Sequence, residues 1–186
     1  MIRYGFAIIL MGTLGSLLVG AFPRVTPEKS CSLSKYQFPA PLELKAVQRM
    51  KEQFEDIMLL TNRKCNTRLF HRKWSTAELS VPDRITLVEA ELDLTITMLT
   101  NPTTQRLAET SQQPLAFLTQ VREDLRDCLA LEAPSHHPSG KLRHWLQKLE
   151  TAKKKETAGC LEASAILHIF QVLNDLRCAA QREDCT

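Results

Sequence analysis

From Leu42 onward, apolar side chains return every third or fourth residue. Val47, Met50, Phe54, Ile57 and Met58 form one stripe with charged residues between them. That period is the mark of an amphipathic helix, and Pro41 suits a first helical turn, so the pattern predicts a helix over residues 42–60. A second stripe starts at Pro82, runs through Ile85, Leu87, Val88, Leu92, Ile96 and Leu99, and stops at Asn101-Pro102. Glu89, Glu91 and Asp93 read as its solvated side. Thr103 or Thr104 can cap a third stripe, Leu107, Leu115, Leu118, Val121, Leu125 and Leu129. Pro114 lies inside that stripe and is expected to kink or split the helix.

Other segments lack this period. Residues 22–41 hold Pro23, Pro27, Pro39 and Pro41 and read as an extended lead-in. Asn62–Ser80 reads as a loop of basic and aromatic character, with Arg63, Lys64, Phe70, Arg72, Lys73 and Trp74. Ala133–Gly140 is a second loop, followed by a short amphipathic helix, Leu142–Thr151, on Leu142, Trp145, Leu146 and Leu149. A last helix is expected from about Ala158 to Cys178. No strand-like alternation of useful length occurs, and the chain has only six glycines. The pattern predicts an all-α bundle of four long helices plus short ones.

The last helix has surplus apolar positions. On a wheel of about 100° per residue, Leu161, Ala165, Ile166, Ile169, Val172, Leu173 and Leu176 fall in an arc of roughly 140°. Phe170 lies about 115° from the centre of that arc and Leu167 almost opposite it. Either another element covers these two, the Asn62–Ser80 loop being the obvious one, or they anchor a partner protein. On the first helix Leu44 also lies beyond the core stripe, beside Gln48 and Lys51.

The start of the chain changes where this bundle is expected to work. Arg3 is followed by the apolar run Phe6–Val19, with Val19 and Ala21 as small residues at a cleavage site. This reads as a signal peptide, 1–21, cut after Ala21 and leaving a secreted domain, 22–186. A membrane anchor fits less well, because Gly5, Gly12, Gly15 and Gly20 interrupt the run. No later run approaches spanning length, so no membrane insertion is expected. All six cysteines, Cys31, Cys65, Cys128, Cys160, Cys178 and Cys185, follow the signal. In an oxidising compartment they imply three disulfides, and the count alone allows 15 pairings. No C-x-x-C occurs, so metal ligation is weakly supported. The formal net charge of +3 falls by one with Arg3. That near-neutral balance argues against nucleic acid as a main partner.

Catalytic readings find little. His71, His136, His137, His144 and His168 sit in loops or singly on helices, and no G-x-S-x-G, H-E-x-x-H or phosphate loop is present. Neither a catalytic site nor a cofactor is expected, and pairs such as Glu89/Glu91 or Glu123/Asp124 read as solvated faces. The basic run Lys141, Arg143, Lys148, Lys153, Lys154 and Lys155 could touch heparan sulfate weakly; a hydrated helix end and loop is the plainer reading. The residues alone leave open another secreted helical cytokine, or a carrier with Leu167 and Phe170 lining a ligand pocket.

One block is more specific. G-K-L-R-H-W-L-Q-K-L-E-T-A-K-K-K-E-T-A-G-C-L-E-A-S (Gly140–Ser164) resembles the most recognisable stretch of the interferon-lambda, or type III interferon, family. P-L-E-L at Pro41–Leu44, V-E-A-E-L at Val88–Leu92 and Q-P-L at Gln113–Leu115 support it, in order along the chain. Within that family it is similar to a non-mammalian, avian-like member. The resemblance implies an interleukin-10-like helical cytokine, in an up-down bundle, that is antiviral and signals through JAK–STAT. The implied partners are the interferon-lambda receptor chain and the interleukin-10 receptor beta chain. It also implies the pairing Cys31–Cys128, Cys65–Cys160 and Cys178–Cys185. The implied receptor face uses Pro41, Glu43, Leu44 and Gln48 on the first helix, Arg63 in the loop, and Leu167 and Phe170 on the last helix. Leu167 stands where mammalian members carry a second aromatic, and Arg63 where they carry a tryptophan. The second-receptor face is expected on the first and third helices.

Overall fold

The computed structural model describes residues 31–61, 64–65 and 68–185. The signal segment 1–21 and Arg63 lie outside these residues. The described part is all-α: α1 (Pro41–Thr61), α2 (Val81–Thr100), α3 (Gln105–Glu132), α4 (Gly140–Lys155), α5 (Ala158–Leu167) and α6 (Ile169–Gln181), with short 3-10 turns between them. Four starts follow one rule. Ser80, Thr104, Ser139 and Thr157 each accept a backbone N–H through their side chain, at the heads of α2, α3, α4 and α5. Such caps satisfy otherwise orphaned donors and contribute about 1 kcal/mol each.

The core forms where the stripes meet. α2 packs against α3, α5 and α6, and α3 packs in turn on α1. Met50 and Phe54 of α1, Leu87, Leu92 and Leu99 of α2, and Leu107, Leu118 and Leu125 of α3 are fully buried there. α4 closes one side with Leu142, Trp145 and Leu149. The chain is thus the helical bundle that the periodicity predicts.

Three expectations are corrected. Pro114 does not split α3, which continues through it for 28 residues. Ser111, Pro114 and Leu118 are buried on one face, and that packing outweighs one missing ladder hydrogen bond. The short helix is longer than Leu142–Thr151, because Ser139 caps it early and Lys153–Lys155 complete its last turn, where cations suit the helix dipole. The last helix is broken: α5 ends at Leu167, and His168 (φ −100°, ψ 11°) separates it from α6.

That break has an identifiable neighbour. Phe70, buried in the 68–70 turn, stacks on the His168 ring with centroids 5.6 Å apart and planes 16° from parallel. Gln171 Nε2 donates to the Phe70 carbonyl at 2.9 Å. The loop therefore covers the junction, and all six residues from Leu161 to Ile166 are buried. From Leu161 to Ile166 α5 has no solvent face, while Ala158 is exposed and Gly159, Cys160 and Leu167 are half-buried.

Cys31–Cys128, Cys65–Cys160 and Cys178–Cys185 are bridged, the pairs that the resemblance implies. The first two join residues 97 and 95 positions apart. In the chain-entropy account, loops of that size contribute about 4–5 kcal/mol each.

A buried ionic cluster locks the same loop. Arg72 reaches between α2 and α6, donating through Nη1 to Glu91 and through Nη2 to Asp175. Thr76 donates its hydroxyl to the other Asp175 oxygen. The guanidinium lies 5.0 Å from the centroid of the Trp74 ring and 5.8 Å from that of Trp145. Glu91 is completely buried, so the reading of Glu89/Glu91 as a solvated pair is corrected at position 91. Burial works against the Arg72 charge, but attraction from Glu91 and Asp175 outweighs it. Burial, and next the Asp175 charge, push Glu91 up to about 8.

The folded state therefore holds the Glu91 proton more tightly than the unfolded chain does. Stability should be highest near or below the unfolded carboxylate value, fall as pH rises from about 4.5 to about 8, and level off above that. Glu91→Gln keeps the neutral shape. Urea unfolding across pH 5–8 should show a stability decline of a few kcal/mol in the parent and a much flatter profile in the variant.

Candidate functional site

The lead-in to α1 is held from two sides. Tyr36 is buried, donates to Asp124 of α3 at 2.5 Å and meets Phe117 edge-on, with centroids 6.4 Å apart. Burial, and next the hydrogen bond to Asp124, raise the Tyr36 hydroxyl far above its ordinary value. Burial opposes the Asp124 charge, yet hydrogen bonds from Lys35, Tyr36 and Gln120 outweigh it and keep its carboxyl below the usual range. Gln37 Nε2 donates to the Ala180 carbonyl of α6 at 3.1 Å. With neighbours fixed on both α3 and α6, Phe38 emerges as a strongly exposed aromatic, 83% accessible.

An open cleft of about 330 Å³ lies beside it. Gln37, Phe38, Pro39 and Leu44 form one wall, and Leu173, Asn174 and Arg177 of α6 the other. Arg177 Nη2 donates to Asn174 Oδ1 at 3.3 Å, which orients a cation along that wall. Phe170 lies three, four and seven residues before these α6 residues and so shares their helix face. It is 41% accessible although aromatic. A rigid face with exposed aromatics, an apolar groove and an oriented arginine has the composition of a protein-binding hot spot. Among the described residues its lining holds no His, Cys, Asp or Glu, and no group of three or more of these could hold a metal ion.

The residues named from sequence fall into three groups. Pro41, Glu43, Leu44 and Gln48 occupy the first two turns of α1; Pro41 and Gln48 are exposed, and Glu43 and Leu44 partly buried. Gln48 Nε2 donates to Glu52 at 2.8 Å. Phe170 stands at the start of α6, on the cleft side. Leu167 is partly buried and packed against the core, and its helix meets the 68–70 turn, the covering loop that the sequence left open. Sequence reading missed Phe38, Asn174 and Arg177. Phe38 sits in a proline-flanked lead-in with no period, while Asn174 and Arg177 could have been found by extending the Phe170 face by one and two turns.

Comparison with known proteins gives this face its context. A family model described as Interleukin-28A matches residues 28–182. Interferon lambda-3 of Gallus gallus is 92% identical over 186 residues, covering all of both chains. The chain belongs to the interferon lambda family. Interferon lambda-2 of Mus musculus is 33% identical over 185 residues, 96% of each chain. Interferon lambda-1 of Homo sapiens is 31% identical over 183 residues, 96% of this chain and 92% of its own. As an interferon lambda the protein is a cytokine of the interleukin-10-like helical class and not an enzyme. Its polar clusters therefore read as structure: His136 Nε2 lies 2.8 Å from Asp83 Oδ1 at the head of α2, and Glu162 accepts from the Thr103 N–H at 2.7 Å. No helix among the described residues is long and apolar enough to cross a membrane.

Proposed function

We propose that this interferon lambda is secreted after cleavage at Ala21 and acts as an antiviral cytokine. It binds the interferon-lambda receptor chain through the start of α1, the Arg63 loop and the first turns of α6. The observation that carries this reading is Phe170, an exposed aromatic on a rigid helix beside the Leu44 cleft. The interleukin-10 receptor beta chain engages the side formed by α1 and α3, which pack against each other. Bringing the two receptor chains together switches on JAK–STAT signalling and interferon-stimulated genes.

The test is a reporter assay for interferon-stimulated transcription in avian epithelial cells, with and without the interferon-lambda receptor chain. A dose-dependent response is expected only where that chain is present, and should be restored when the chain is supplied again. A response of equal size in cells lacking it would refute the proposed receptor.

A further inference from the structure

α4 presents an unusual outer surface. Leu142, Trp145 and Leu149 are buried, so the opposite face meets solvent. By helical phase at about 100° per residue, that face carries Arg143, His144, Gln147, Lys148, Thr151, Lys154 and Lys155. All seven are exposed, and none is acidic or apolar. The helix has one acid, Glu150, at the edge of the face and engaged by Lys153 at 2.9 Å. Lys141 is paired with Glu78. Lys148 Nζ donates only to a backbone carbonyl, that of Arg68, at 3.3 Å. Among the described residues no carboxylate pairs with Arg143, Lys148, Lys154 or Lys155.

Other cations without a carboxylate among the described residues, such as Arg49, Lys73 and Arg106, lie on separate elements and not along one helix face. Arg72, Arg122, Arg126 and Arg182 all meet carboxylates. The helix dipole explains cations in the last turn, which accounts for Lys154 and Lys155. It does not account for Arg143, near the opposite end, or for Lys148 in the middle. From Arg143 to Lys155 the unpaired cations extend over about 18 Å of helix axis. A shallow trough of about 410 Å³ runs along part of this face, lined by His144, Gln147, Lys148, Thr151 and Lys155, with Ala152 and one acid, Glu156, at the end of the helix.

We propose that the outer face of α4 is a binding site for a linear sulfated polysaccharide of the glycosaminoglycan class. Cations spaced along one axis match a chain of repeated anionic groups, and counterion release drives the binding. Gln147 and Thr151, between the cations, offer neutral donors to sulfate and hydroxyl oxygens. A membrane surface is disfavoured, because interfacial helices bury apolar side chains and those of α4 are already spent on the core. The site lies on a different helix from the α1/α6 cleft, so it serves local retention of the cytokine without requiring the receptor-binding face.

Heparin serves as the probe, with the secreted full chain immobilised for surface plasmon resonance at about 0.15 M salt. One variant carries Arg143→Ala, Lys148→Ala and Lys155→Ala; a charge-matched control carries Lys64→Ala, Lys73→Ala and Arg106→Ala. Circular dichroism verifies that both fold. The parent should bind, the α4 variant should bind at least about tenfold more weakly with a shallower salt dependence, and the control should stay near the parent. Failure of the parent to bind heparin, or equal loss in both variants, overturns the proposal. So does binding to phosphatidylserine vesicles or to single-stranded DNA as strong as that to heparin.

Discussion

Replacing Arg72 with alanine should lower the unfolding free energy by about 3–5 kcal/mol, the cost of stranding a buried charge partner. Arg72 bridges Glu91 and Asp175 between two helices and lies near the Trp74 and Trp145 rings. Its loss removes the cation that compensates Asp175 and leaves that carboxylate leaning on the Thr76 hydroxyl. Equilibrium urea unfolding at neutral pH measures the effect. Arg72→Lys should cost less, since it keeps the charge but loses the two-pronged geometry that spans both acids. Adding Asp175→Asn to Arg72→Ala should recover part of the loss, because the two positions are coupled. A loss below about 1 kcal/mol for Arg72→Ala would place the cluster in effective contact with water, contrary to its burial.

Receptor binding should weaken by at least about 2 kcal/mol when Phe170 and Phe38 are both changed to alanine. Both side chains are exposed in the free protein, at 41% and 83%, so truncation leaves the core intact. Isothermal calorimetry against the receptor ectodomain reads the affinity, and thermal unfolding verifies that stability is preserved. Leu167→Ala makes the informative comparison. Leu167 packs against the core, so that substitution should lower stability more than Phe170→Ala does. Full affinity in the Phe38/Phe170 double variant would remove this face from the receptor interface.

The helices were legible because each of α1 to α4 keeps a stripe of the right period, and hydroxyl residues cap the starts of α2 to α5. The cysteine pairing came from the resemblance, since residue count alone left it open. The break at His168 was hidden: both halves are apolar, and a wheel assumes a phase that runs on. The residue that packs on it lies about a hundred positions away, where Phe70 stacks on His168 and accepts from Gln171. The ionic cluster left a signal that periodicity alone undervalues. Glu91 falls in register with Val88 and Thr95 on the buried side of α2, and Asp175 with Val172 and Ala179 on α6. Two acids at core positions demand a buried cation, and Arg72 beside Trp74 was the available one.

The enclosed run from Leu161 to Ile166 divides the C-terminal part of the chain by the kind of damage a substitution does. Changes from Leu161 to Ile166 meet packed neighbours on every side, so their cost falls on the fraction of chains that pass secretory quality control. Changes at Phe170, exposed between the buried Ile169 and Val172, should fall on receptor binding instead. Among homologues, then, room for substitutions that retune species specificity should centre on Phe170, while the run from Leu161 to Ile166 is held still by the demands of folding and export.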